Sequence, residues 1–324
     1  DASTGELLAE PKLIDYSLSA AHFSPEGGKI LTVATDSVAR IIDAFTGEGI
    51  LNLQKANTAL YSTAGNKVAI VSDYSVVKVL DAHTGKQLLE TKGIGNQFNF
   101  VKVRFSPDGE KIVVASEDSV ATVWNISSQQ PVARLKGHSY GITAAMFSPD
   151  GKKIITASGD RTAKLWDAGS GKLLASLDAH EAGVNAVQFS PDGRKVVTAS
   201  EDYTAKVWDV VSGKLNADLK GHTYWISSAR LTPDDQNIFV ASENSIKKWN
   251  MFSGATELNL AGRDEEIVTV QLSQDGKTIL AAYNSSFYLL DAATGEQRRS
   301  VKTEDLLISA AVLSPDGKKV LTLY

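Results

Sequence analysis

Residues 189–209, FSPDGRKVVTASEDYTAKVWD, decide how the rest of the chain is read. Two earlier stretches repeat them: FSPDGKKIITASGDRTAKLWD at 147–167 and FSPDGEKIVVASEDSVATVWN at 105–125. Val196, Val197 and Thr198 form one β-branched run, and Ala205 to Trp208 form a second. Turn chemistry flanks both. In Ser190-Pro191-Asp192-Gly193 the proline pre-sets φ, the aspartate bonds its own backbone and the glycine tolerates positive φ. Glu201-Asp202-Tyr203 makes the next turn. Phe189 closes a preceding strand over 185–189, and 215–219 read as a fourth strand after the turn at 210–214. The unit is four short strands joined by turns, with no helical period.

The turn serine measures the repeat. It falls at Ser24, Ser62, Ser106, Ser148, Ser190, Thr232, Ser273 and Ser314, at intervals of 38, 44, 42, 42, 42, 41 and 41. A bulky residue followed by an acid or asparagine gives a second ruler: Ile42-Asp43, Leu80-Asp81, Trp124-Asn125, Trp166-Asp167, Trp208-Asp209, Trp249-Asn250 and Leu290-Asp291. The rulers agree. Four strands per period, with Gly-His and Trp-Asp pairs, are the pattern of a propeller blade. On these residues the chain resembles the WD-repeat (WD40) β-propellers over essentially its whole length. The SPDGK and TASxD runs are nearer bacterial than eukaryotic members. The resemblance implies one all-β domain over 1–324, built of four-stranded antiparallel blades.

The ends bear on the blade count. Asp1-Ala2-Ser3-Thr4-Gly5 matches Asp291-Ala292-Ala293-Thr294-Gly295, so the sequence starts at the acid of a Trp-Asp slot. Ser314-Pro315-Asp316-Gly317 is followed by a strand over 320–324. Eight blades are expected, the last taking two strands from the C-terminus and its fourth from the N-terminus, without its third. Such strand sharing hides sheet edges. The alternative is seven blades with a segment docked outside.

Composition narrows the function classes. The chain has 324 residues, net charge −5 and no cysteine. Disulfides, thiolate metal sites and a cysteine nucleophile are excluded. A mildly acidic chain of mixed charge carries no footprint for nucleic acid. No apolar run reaches the ~18–20 residues that span a membrane. A cytoplasmic location is expected ahead of a periplasmic or secreted one, though nothing in the composition fixes it. No phosphate loop or HExxH motif occurs. Asn125-Ile126-Ser127 and Asn284-Ser285-Ser286 match the glycosylation acceptor at the rate chance allows.

The resemblance assigns the polar residues. His138, Thr156, Asp160 and Trp166, and likewise His180, Thr198, Asp202 and Trp208, fall at the spacing of the family's buried hydrogen-bond tetrad. A hydrolase triad is the rival reading; recurrence in successive units speaks against it. His222 with Trp249 is a partial copy, because the turn at Glu243-Asn244 is one residue short. His22 and His83 have no ligand-like neighbours, so neither a metal nor a cofactor is expected. Asp108, Asp150, Asp192, Asp275 and Asp316 read as turn formers, and Asp43, Asp81, Asp167, Asp209 and Asp291 as strand-end caps.

Function is expected in loops. Matched to the family's loop-face positions, the blades offer Asn99, Val101 and Glu117; Gly141, Thr143 and Gly159; Gly183, Asn185 and Glu201; Trp225, Ser227 and Glu243; and Glu266, Val268 and Tyr283. Trp225 is the one tryptophan of five outside a Trp-Asp slot, with Tyr224 beside it. A loop-borne Trp rimmed by Glu117, Glu201 and Glu243 resembles a protein-binding hot spot. The competing reading packs Trp225 against its own loop. The expected function is a non-catalytic scaffold that binds a protein or peptide. The alternatives are a sensor or regulatory module of a longer protein, and a propeller enzyme working in the central channel. The last needs convergent acid, base or metal-ligand groups. The strands at 143–146 and 185–188 read instead as small or apolar.

Overall fold

The computed structural model describes residues 2, 4, 8, 17–72, 76–91, 102–261, 266–303 and 307–324. Among these residues, seven four-stranded antiparallel sheets follow one another. Blade 1 is β1 (Leu18–Phe23), β2 (Lys29–Ala34), β3 (Val38–Asp43) and β4 (Gly49–Gln54). Blade 2 is β5 (Thr58–Tyr61), β6 (Lys67–Ser72), β7 (Val76–Asp81) and β8 (Gln87–Glu90). Blade 3 is β9 (Lys102–Phe105), β10 (Lys111–Ala115), β11 (Val120–Asn125) and β12 (Gln130–Lys136). Blade 4 is β13 (Ile142–Phe147), β14 (Lys153–Ser158), β15 (Ala163–Asp167) and β16 (Leu173–Leu177). Blade 5 is β17 (Val184–Phe189), β18 (Lys195–Ser200), β19 (Ala205–Asp209) and β20 (Leu215–Leu219). Blade 6 is β21 (Ile226–Leu231), β22 (Asn237–Ser242), β23 (Ser245–Asn250) and β24 (Thr256–Ala261). Blade 7 is β25 (Ile267–Leu272), β26 (Thr278–Tyr283), β27 (Ser286–Asp291) and β28 (Gln297–Lys302). A hairpin, β29 (Ala310–Leu313) with β30 (Val320–Leu323), ends the chain.

Seven complete blades is the count of the alternative reading. An eighth four-stranded blade does not form among the described residues, where the hairpin has two strands only. Most of the N-terminal stretch expected to supply its outer strand lies outside the described residues.

The turn serine is a structural device as well as a ruler. Ser190 Oγ donates to Asp192 Oδ1 at 2.7 Å and accepts from the Lys195 N–H at 2.8 Å. Gly193 closes the turn with φ +71°, a conformation favourable to glycine. The same bonds recur around Ser106, Ser148 and Ser314. The slot acids cap the next turn. Asp209 Oδ1 accepts from the backbone N–H of Ser212 at 2.7 Å and of Val211 at 3.1 Å. These bonds hold its carboxyl below the usual range.

Second strands read as continuous apolar runs because neighbouring blades cover both their faces. The core therefore lies between blades. The described chain divides into two compact units. In the unit holding Leu89–Gly262, Ile155, Leu165 and Leu177 of blade 4 pack on Phe189, Val196 and Trp208 of blade 5. Val197 and Val207 of blade 5 pack in turn on Leu231, Ile238 and Trp249 of blade 6. In the unit holding Asp1–Asp73, Lys78–Leu88 and Arg263–Tyr324, Leu31 and Ile41 of blade 1 pack on Val68 and Ile70 of blade 2.

Candidate functional site

The tetrads set the loops that follow each Gly-His position. His180 Nδ1 lies 2.7 Å from Asp202 Oδ2, and Nε2 lies 2.7 Å from Thr198 Oγ1. The carboxylate makes Nδ1 the protonated nitrogen, so Nε2 accepts from the Thr198 hydroxyl. That hydroxyl oxygen accepts from the Trp208 indole N–H at 2.9 Å. Blade 4 repeats the relay through His138, Asp160, Thr156 and Trp166 at 2.7–2.8 Å. Burial pushes both imidazoles down despite their carboxylates, so both are neutral. Burial raises Asp160 and Asp202, but hydrogen bonds from threonine, backbone and histidine outweigh it and bring each to about 2. Thr156 and Thr198 are fully buried, which suits a structural relay and not a nucleophile.

The tetrad also reaches the surface. Asp160 Oδ2 accepts from the Ser139 N–H at 3.0 Å, and Asp202 Oδ2 from the Glu181 N–H at 2.9 Å. Each bond pins a loop immediately before a first strand. Blade 6 is the variant. Val240 stands in the register position of Thr198, and His222 Nδ1 meets Ser242 Oγ at 2.9 Å and Ser245 Oγ at 3.0 Å. His222 Nε2 is buried without a hydrogen-bond partner among the described residues. Burial and the Lys247 charge push this imidazole down to about 4. In blade 3, Val114 takes the threonine's register position, and the Trp124 indole N–H is likewise buried without a partner.

The loop-face residues fall at a repeated irregularity. The first strands of blades 4, 5 and 6 bulge at their second residue, which is Thr143, Asn185 and Ser227. A bulge re-aims the side chain it carries. Thr143 and Ser227 give their hydroxyls to backbone carbonyls, those of Val184 and Ala241. One cleft of 970 Å³ collects Glu117, Thr143, Asn185 and Glu201 with Lys102, Ser139 and Tyr140. Gly159 leaves room for the Tyr140 ring in its wall, since a Cβ there would lie 2.6 Å from that ring.

The remaining expected residues divide. Trp225 and Tyr224 are 61% and 45% exposed, so neither is packed away against its loop. Ser227 and Glu243 are exposed as well. None of these four lines the cleft. Tyr283, in the other unit, is buried with its ring edge-on to Tyr288 at 5.5 Å, so little of it is offered to a partner. Asn99 and Val101 lie outside the described residues.

Two features were missed. Tyr140 is 69% exposed in the cleft wall, and a tyrosine two residues after the Gly-His histidine was the available signal. The inner strands of blades 3 to 6 are also not uniformly small or apolar. Arg104, Met146, Gln188 and Arg230 share one register position on β9, β13, β17 and β21. Both arginine side chains are exposed, yet the protein crowded around them desolvates them and lowers their pKa, Arg230 also through the Arg104 charge. Their signal was period alignment extended to the short strand over 102–105. Among the described residues, no group of three or more His, Asp or Glu side chains could hold a metal ion, and no helix is long and apolar enough to cross a membrane.

Repeated four-stranded blades with a His-Thr-Asp-Trp relay define a propeller of the Trp-Asp repeat type. The profile of "WD domain, G-beta repeat" matches residues 74–125, 129–167, 171–209 and 213–250, and the chain belongs to this family. Among solved structures, a computationally designed protein called Ika8 is similar, with 23% identity and a TM-score of 0.83. The match covers 99% of this chain and 100% of that one, and it shows the β-propeller fold. No curated protein sequence matches.

Proposed function

We propose that the chain is a non-catalytic interaction module that holds a protein or peptide segment on the loop face of blades 3 to 6. One observation carries this reading. Four residues marked from sequence alone, Glu117, Thr143, Asn185 and Glu201, line a single cleft beside the exposed Tyr140 ring. Exposed aromatic rings are large, stiff anchors, and they dominate binding where a partner excludes water from them. Tyr203, Tyr224 and Trp225 add to the set, at 44%, 45% and 61% exposure. Glu117, Glu201 and Glu243 are exposed carboxylates near these loops. The matching segment is apolar with basic flanks. At the inner-strand register position, two arginines, a methionine and an amide bind more readily than they transfer protons. That favours a binding module over a channel enzyme.

Crosslinking capture from a lysate of the source organism tests the reading, with wild type beside Trp225→Ala and Tyr140→Ala. A partner held by wild type and weakened about tenfold or more by either variant is the expected result. A partner retained equally by both variants contradicts it.

A further inference from the structure

The first strands carry a one-sided charge pattern. The chain as a whole is acidic, at net charge −5. Yet the first strands of the seven blades, and β29 of the hairpin, contain no Asp or Glu. Lysine and arginine do occur there, in the unit that holds Leu89–Gly262: Lys102 and Arg104 on β9, and Arg230 on β21.

Arg104 and Arg230 share one register position, two residues before the turn residues Ser106 and Thr232. Each is exposed and follows a buried residue, Val103 or Ala229. Successive side chains of a strand point to opposite sides, so both guanidinium groups are directed away from the packed blade core.

Neither charge is neutralised among the described residues. Arg104 Nη1 donates to the Val103 carbonyl at 2.9 Å, and Arg230 Nη1 to the Ala229 carbonyl at 3.1 Å. A guanidinium carries five N–H donors. Among the described residues the remaining donors meet no acceptor, and neither side chain pairs with a carboxylate. An arginine in open water would lose little by this. These two are crowded by protein, and the Arg104 charge is felt at Arg230. Like charges repel more strongly in such surroundings than in water. An anion held by both removes that repulsion. Gln188 of blade 5 stands at the same register position, next to blade 6. Its Oε1 accepts from the Leu231 N–H at 3.2 Å, which fixes the amide and leaves its NH2 group to donate.

We propose that Arg104 and Arg230, with the Gln188 amide, bind a small free oxyanion of the phosphate class that carries two or more charges. Planar guanidinium forks match the paired oxygens of a phosphate. A single carboxylate brings one charge and leaves one of the two arginines uncompensated. Neither arginine lines the loop-face cleft, so this site and the loop-face reading fail separately.

Calorimetric titration of the intact chain with inorganic phosphate and with inorganic pyrophosphate, at fixed ionic strength, tests the proposal. Arg104→Gln and Arg230→Gln are compared with Arg134→Gln, which removes an exposed arginine from the outer strand β12. The expected result is saturable binding that each inner variant weakens about tenfold or more and Arg134→Gln leaves unchanged. Phenylglyoxal modification of the unaltered chain, mapped by mass spectrometry, locates the site without a variant. Pyrophosphate should protect Arg104 and Arg230 and leave Arg134 reactive. Binding weaker than about 1 mM, equal loss in all three variants, or equal protection of Arg134 overturns the proposal. A short phosphoserine peptide that binds more tightly than both inorganic anions assigns the phosphate to a polypeptide and overturns a free anion as the ligand.

Discussion

Replacing Thr198 with valine keeps the shape of the side chain and removes one hydroxyl. The change strands two buried groups at once. The Trp208 N–H loses its 2.9 Å acceptor, and His180 Nε2 loses its 2.7 Å donor. Thr198 is fully buried, so water cannot substitute. Each stranded group costs about 1–3 kcal/mol, so two give an expected loss of about 2–6 kcal/mol. No cavity contributes, because Val and Thr are nearly equal in volume. Urea unfolding of wild type and Thr198→Val reads the difference as a shift in midpoint at constant m. Blade 6 supplies the mirror experiment, since Val240 already leaves His222 Nε2 without a partner among the described residues. Val240→Thr should stabilise by about 1 kcal/mol, the net value of one restored hydrogen bond. A cost below about 0.5 kcal/mol for Thr198→Val would refute the relay as a stabilising element.

Three other outcomes follow from particular contacts. His222 titrates near 4 in the fold against 6.5 in the unfolded chain, so the unfolded state takes the proton first as pH falls. The stability tied to the neutral ring is present above pH 6.5 and lost as pH falls to 4, in total about 3 kcal/mol; His222→Gln should flatten that part of a pH–stability profile. Lys206 Nζ is buried against Asp218 Oδ1 at 2.7 Å. Asp218→Ala leaves that cation unpaired and should cost about 2 kcal/mol by urea unfolding, whereas Lys206→Met removes the charge and should be nearly neutral. A Cβ at Gly159 meets the Tyr140 ring at 2.6 Å. Gly159→Ala should displace that exposed ring and weaken partner binding while thermal unfolding shifts little.

The blades were legible because their signals are local. Ser190, Asp192 and Gly193 make their bonds within one turn, so the sequence pattern and the geometry are the same fact. The tetrads were legible by spacing, since His180 and Asp202 recur where His138 and Asp160 do. The blade 6 tetrad read as a partial copy from its short turn at Glu243-Asn244, but the loss of its threonine was overlooked, although Val240 aligns with Thr198. The eighth unit was the difficult part. Its hairpin matches the repeat, but pairing depends on which strands meet in space, and seven complete blades formed. Arg104 and Arg230 were overlooked because each looks like an ordinary surface arginine until the register places both on inner strands. Tyr283 misled for the opposite reason. Its position matches a loop-face slot, yet Tyr288 and the strand beside it bury the ring.

The loop face is tested most directly by placing a photo-crosslinking amino acid at Tyr140, 69% exposed, and separately at Val211, 90% exposed at the opposite end of its strands. Both proteins are irradiated in the same lysate. The account predicts a discrete partner adduct from position 140 and none of that mass from position 211. An adduct of equal yield from both positions, or from 211 alone, would contradict it.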